Sequence, residues 1–278
     1  MTFYSLVRNA YYDKIKAVLL TLLLEVFIMP RSYDFVVSLG ETCISSGNLR
    51  RNKLQYESFP FDWIGITLEQ AVQMLKTHFR NFLELQNLRL SVRAENHDRY
   101  MDVVQQIEFV HDFDSNTDPS VNFEKVKDKY LRRIERLFQR MGESRSILFA
   151  ISANRHIKDE ILKQQWQELQ NLCPQALVDL ICFELPQGNK SVEKHRISDH
   201  VQRFVLTSPN PNDWNDLRDD YTECLKPFRL KAAIRFKYFW PDFCFHFRKQ
   251  LLKAAAFLVP IPGIRRRLRQ KVKKNIFE

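Results

Sequence analysis

Residues 33–63 read YDFVVSLGETCISSGNLRRNKLQYESFPFDW. An apolar run, Tyr33 to Leu39, meets Gly40 and a polar turn, and Thr42 to Lys53 follows with helical spacing. A strand that ends in Gly and turns into a helix is where α/β proteins expose a reactive group. Cys43 stands just past that point. The first N–H groups of a helix point outward and its dipole favours an anion, which would help a thiolate at Cys43. The competing reading is an inert, buried thiol, because free Cys is among the most buried residue types.

Working outward, Ser58 to Ile66 reads as a loop around Pro60. Thr67 to Leu85 reads as one or two helices, with Leu68, Val72, Leu75 and Phe79 on one face. Arg99 to Phe109 is ambiguous and ends in a short strand before His111, and Asp112 to Ser120 (DFDSNTDPS) is a loop by composition. Asn122 to Met141 repeats Val126, Tyr130, Ile134, Leu137 and Phe138 at helical spacing, and Gly142 closes it. The pattern then alternates. Ser146 to Ser152 (SILFAIS) is a strand, Lys158 to Leu172 a helix, Ala176 to Phe183 (ALVDLICF) a strand, and Val201 to Thr207 (VQRFVLT) another. Strand–helix–strand spacing implies βαβ units. The expected fold is α/β: three layers, a mostly parallel sheet flanked by helices, and a helical basic C-terminal extension.

Composition excludes several classes. Gly is scarce, with 6 in 278 residues, and neither GxGxxG nor GxxxxGK[ST] occurs, so the commonest nucleotide loops are missing. The five cysteines, Cys43, Cys173, Cys182, Cys224 and Cys244, are irregularly spaced without CxxC. That argues against a disulfide framework or structural zinc and for a reducing, cytoplasmic setting. No metal and no cofactor is expected. Lys226 to Glu278 carries fifteen Lys and Arg against Asp242 and Glu278. This excess is larger than the net charge of the whole chain, +10, so residues 1–225 are net acidic.

Three segments follow: an apolar N-terminal extension at 1–28, an α/β domain at 30–225, and a basic aromatic region at 226–278. AVLLTLLLEVFIM at 17–29 is broken by Glu25 and falls short of the roughly 20 apolar residues of a membrane span. Met29 leads directly into the first strand and is a candidate initiator. In 226–278, apolar Ala254 to Ile261 precedes the basic Arg265 to Lys274. That order suits attachment to an anionic membrane surface, each cation near the surface contributing about 1 kcal/mol. Nucleic acid is disfavoured as a partner, since no RNP-like or helix-turn-helix pattern accompanies the aromatics.

SLG, Cys43, LRR and FPFDW together resemble the N-terminal signature of a family of domains of unknown function described as papain-like cysteine peptidases. Phe109-Val110-His111-Asp112-Phe113 resembles its His-Asp segment, and Lys129 to Ile134 (KYLRRI) resembles the helix that follows. The resemblance covers roughly Tyr33 to Ser152. It implies a cysteine-dependent hydrolase or acyl transferase acting on a peptide or acyl substrate. It also implies a context in surface polysaccharide synthesis, at the inner face of the membrane. The expected catalytic set is Cys43 as nucleophile and His111 as proton acceptor, with Asp112, Asp114 or Asn154 orienting the imidazole. Gly40, Asp62 and Trp63 are the expected substrate-side residues. The βαβ pattern of the second half departs from the two-halved papain architecture.

Two alternatives use the same residues. FVVSLGET resembles the opening of SGNH esterases and acyltransferases. Thr42 then stands where the nucleophilic Ser would be, Asn154 as an oxyanion donor, and Ser198-Asp199-His200 as the late Asp and His. The other is a non-catalytic binding protein in which Asp62 caps a turn and Trp63 packs on the core.

Overall fold

The computed structural model describes residues 31–211, 213 and 215–238. The expectations for 1–28 and for most of 226–278 lie outside them. The chain divides into two compact units, Met1–Arg229 and Leu230–Glu278. The described part of the second unit is helical over 232–238.

The first unit has an α/β fold. β1 (Arg31–Tyr33) and β2 (Phe35–Glu41) lead into α1 (Cys43–Arg51), a 3₁₀ turn (Pro60–Trp63), β3 (Ile64–Gly65) and α2 (Leu68–Lys76). Next come β4 (Leu88–Val92), β5 (His97–Asp102), β6 (Ile107–Asp114) and α3 (Pro119–Glu143). The remainder is β7 (Ser146–Ala153), α4 (Asp159–Leu172), β8 (Leu177–Glu184), β9 (Ser191–Arg196), β10 (Val201–Thr207) and α5 (Arg218–Leu225).

β2-β7-β8-β10-β9 form one sheet. β2, β7, β8 and β10 run parallel, and β9 is antiparallel to β10. Both rows of side chains on its central strands are buried. One row, with Val37, Phe149, Ile151, Leu180 and Cys182, joins the core that Leu68, Val72, Leu75, Leu137, Leu162 and Leu169 complete. From the other row, Ser152 hydrogen bonds Tyr221 of α5 at 2.6 Å, and Phe183 meets the same ring at 4.4 Å.

β3-β6-β5-β4 make a second, antiparallel sheet that the sequence reading did not include. It is built from 88–92 and 97–98, to which no element was assigned, from the ambiguous 99–109, and from parts of the two expected loops, 58–66 and 112–120. The reason lies in β5, HDRYMD, whose inward positions Asp98 and Asp102 are carboxylates buried to 1% exposure. Turn N–H groups hold one oxygen or both: Ala94 and Asn116 donate to Asp98, which also pairs with Arg93 at 3.2 Å, while Val104 and Gln105 donate to Asp102 Oδ1 and leave Oδ2 without a partner. Apolar/polar alternation, the usual strand signal, is thereby erased. α2 is shorter than its apolar spacing predicts. It stops at Lys76 because His78, Phe79, Asn81 and Leu83 take positive φ, turning Phe79, Phe82 and Leu83 into the core.

β2 ends in an irregularity of its pairing with β7 between Ser38 and Glu41. Gly40 sits there at φ +96°, and a Cβ on it would lie 2.6 Å from Ile66 Cγ2 and 3.1 Å from Ile66 O. Gly40→Ala is therefore expected to lose about 1–3 kcal/mol of stability from backbone strain. Urea denaturation measures it; an unchanged midpoint would contradict this. Among the described residues, no helix is long and apolar enough to cross a membrane.

Candidate functional site

Cys43 opens α1 directly after β2. Thr42 holds the N-cap position in extended geometry without a side-chain cap bond, and its Oγ1 is buried and unpartnered. Neighbouring strands put companions at the same end of the sheet: Glu41 pairs in register with Ser152, and Asn154, exposed, stands just past β7. Arg155 bridges Glu41 and Glu69 there, at 2.9 and 3.0 Å. Glu184 at the end of β8 accepts from Ile157 N and meets His156 Nδ1 at 3.0 Å.

The first turn of α1 is tied to the Pro60–Trp63 turn. Ser46 Oγ donates to the carbonyl oxygens of Asp62, at 2.9 Å, and Cys43, at 3.1 Å. The Asp62 carboxylate, wholly buried, accepts from Arg50 at 2.6 Å, from the Gln55 amide at 2.9 Å and from Phe59 N at 3.0 Å. Burial pushes the Asp62 carboxyl above the ordinary carboxylate range, and the Phe59 N–H, Gln55 and Arg50 oppose that rise. A carboxylate so enclosed has no surface left for a substrate. It fixes the turn that carries Trp63.

Half-buried Trp63 meets the His111 ring edge-on, with centroids 5.8 Å apart. His111 lies inside β6 and is exposed, not at a strand–loop junction as its sequence suggests. The His97 ring also meets it edge-on, at 6.3 Å. Arg99 stands on β5 opposite the irregular stretch of β6 that contains His111: Asp98 pairs with Phe113 and Tyr100 with Phe109. Its charge acts on both Cys43 and His111. Sequence reasoning missed Arg99, because nothing marks an arginine inside a segment with no clear strand pattern.

Asp112 points away from His111, to the other side of β6. Its side chain is 3% exposed, one oxygen paired with Lys129 and the other accepting from Tyr130 Oη at 2.7 Å. It acts on His111 through its charge alone. No hydrogen bond joins the Cys43 thiol to His111 among the described residues. Such bonds are commonly loose before substrate is bound.

Burial pushes the Cys43 thiol above its ordinary value, outweighing its own backbone N–H and Arg99, which both lower it. The thiolate expected at the start of a helix is thus not the resting form at neutral pH. Burial also lowers His111, which Asp112 partly offsets, so its imidazole is neutral there. Together they give a neutral thiol and a neutral base, not a preformed ion pair. No cluster of three or more His, Cys, Asp or Glu able to hold a metal occurs among the described residues.

The family described as "Putative papain-like cysteine peptidase" matches residues 34–180, from the start of β2 into β8. The chain belongs to that family. A protein of Acanthamoeba polyphaga mimivirus, itself named as uncharacterized, is similar at 24% identity over 195 residues, 64% of this chain and 78% of the relative. No solved structure matches. Within the family's span, the conspicuous sequence signals pair with one another. Arg50 of LRR holds Asp62 of FPFDW, and Lys129 and Tyr130 hold Asp112. Much of the signature is scaffolding around Cys43 and His111.

The SGNH-like arrangement fails on topology. His200 precedes β10, which runs parallel to β8 and so shares its direction with β2. It therefore sits at the amino end of the sheet, about 20 Å of strand from Thr42. There His200 Nδ1 meets Asp179 at 2.9 Å, and its ring stacks on Trp166.

Proposed function

We propose that the protein is a cysteine-dependent hydrolase or acyl transferase with Cys43 as nucleophile and His111 as proton acceptor. What supports this reading is geometry: half-buried Cys43 opens α1 after β2, the first turn of α1 is tied to the Pro60–Trp63 turn through Ser46, and Trp63 meets the exposed His111 ring on β6. Family membership points the same way. Cys43 sulfur attacks the acyl carbon while His111 takes the thiol proton. The tetrahedral oxyanion receives the Cys43 N–H at the start of α1. The C–O, C–S or C–N bond to the leaving group breaks, His111 returns the proton to that group, and a thioester remains on Cys43. Water or a second acceptor then takes the acyl group. Asn154, exposed just past β7, is retained as a polar group of the proposed site, and Asp112 supports the imidazole by charge. Trp63 forms a wall beside His111, and Gly40 allows β2 to turn so that Cys43 opens α1.

Turnover of p-nitrophenyl acetate by the full chain tests the proposal. Wild type is expected to release p-nitrophenolate catalytically, and Cys43→Ala to fall by at least about 10³-fold. Equal turnover by both would reject it.

The same reading takes the fold as three layers, supported by the two buried rows of the parallel sheet, with a basic helical extension that rests on the composition of 226–278 alone. Attachment of 226–278 to an anionic membrane is a separate proposal resting on that segment's charge. Cosedimentation with phosphatidylserine vesicles, for the full chain and for a chain ending at 225, decides it. Equal sedimentation of the two would reject it.

A further inference from the structure

A proton-accepting imidazole needs something to fix its ring. Asp112, the acid beside His111 in sequence, is taken up by Lys129 and Tyr130. Among the described residues, no hydrogen bond orients the His111 imidazole. What touches it is two other rings. Trp63 meets it at 5.8 Å and 85°, and His97 at 6.3 Å and 90°. Both separations lie in the range of edge-on ring contacts.

His97 has an acid across the strand pair. It pairs in register with Asp114, so the two side chains leave the same face of the sheet. Asp114 Oδ2 accepts from Asn122 at 2.6 Å, and Oδ1 stands 3.9 Å from His97 Nδ1. That gap suits an ion pair with a protonated His97 and is too long for a hydrogen bond. The Nδ1 atom is buried and has no hydrogen-bond partner. The irregular register of β5 and β6 brings these groups together. His111 and Asp114 are three residues apart, which in a regular strand sends them to opposite faces; here both are exposed.

We infer that His97 is the positioning residue of His111: set opposite Asp114 on the strand pair, its ring holds the His111 imidazole in the orientation that takes the Cys43 proton. This rests on His111 being the proton acceptor. It fills the orienting place with a ring contact, and Asp114 acts one residue removed, through His97.

Two readouts in wild type, His97→Ala and His97→Phe test it: the titration of His111 followed by NMR of its ring C–H signals, and p-nitrophenolate release at pH 8. His97→Phe keeps an aromatic edge without the nitrogens, and His97→Ala loses both. The charges that act on His111 are Asp112, which raises it, and His97 and Arg99, which lower it. Both variants are expected to move the His111 midpoint up toward the ordinary histidine value, His97→Ala further because it also opens the ring to water. At pH 8 the imidazole is neutral in all three proteins, so the rate reads orientation alone. Release is expected to fall about tenfold in His97→Ala, the upper end of what one ring contact supplies, and to stay within about threefold in His97→Phe. A rate kept in His97→Ala overturns the inference and leaves His111 as acceptor. An equal fall in both variants moves the effect from the ring to its nitrogens and also overturns it. A wild type as slow as His111→Ala overturns the reading beneath, and the inference with it.

Discussion

Asp62→Ala is expected to lower the unfolding free energy by about 3–5 kcal/mol, the usual cost of removing one partner of a buried ion pair. The loss comes from what it leaves behind. Arg50, 2.6 Å from the carboxylate, would keep its charge in a partly buried site. The Gln55 amide and the Phe59 N–H would lose their acceptor. Asp62→Asn keeps an acceptor and the shape, and is expected to cost about half as much. Because desolvation of Asp62 offsets much of the pairing energy, the network's main effect is to hold the Pro60–Trp63 turn against α1. Urea denaturation of the two variants measures the difference, and Trp63 fluorescence should show the turn loosening first. A loss below about 1 kcal/mol in Asp62→Ala would contradict this.

His111→Ala is expected to slow acylation of Cys43 by about 10²–10⁴-fold, the usual contribution of a positioned base. The pH profile should change shape as well. Burial holds His111 below the ordinary histidine value of about 6.5, so the base form is already filled through the neutral range. Wild-type acylation should therefore fall only on the acid side of that value and stay level around pH 7. Burial raises the Cys43 thiol, so without His111 only a small thiolate fraction reacts. The variant's rate should climb about tenfold per pH unit across the neutral range. Stopped-flow release of p-nitrophenolate from pH 5 to 9 checks both limbs. Parallel profiles for the two proteins would remove His111 from the role.

The parts of this architecture legible in sequence were those where burial and periodicity agree. β2, β7, α4, β8 and β10 lie within a few residues of their apolar patterns, because both faces of those strands are buried and the chain alternates strand and helix. The antiparallel sheet was hidden because Asp98 and Asp102 take inward positions that apolar side chains ordinarily fill. The end of α2 was hidden because four residues other than glycine adopt positive φ, which no local preference announces. At the site, Cys43 was visible from strand, glycine and helix in succession. The direction of Asp112 was not, since it depends on which side of β6 faces α3. Arg99 was invisible for a different reason. Its relation to His111 is set by an irregular register between two strands, and register is a property of the pairing, not of either segment.

The most direct test of the central claim is peptide mass spectrometry after brief exposure of the full chain to p-nitrophenyl acetate and acid quench. Wild type is expected to carry an acetyl thioester on Cys43 that accumulates far more slowly in His111→Ala. Acetyl groups found on lysines or on Thr42, with Cys43 unmodified, would contradict it.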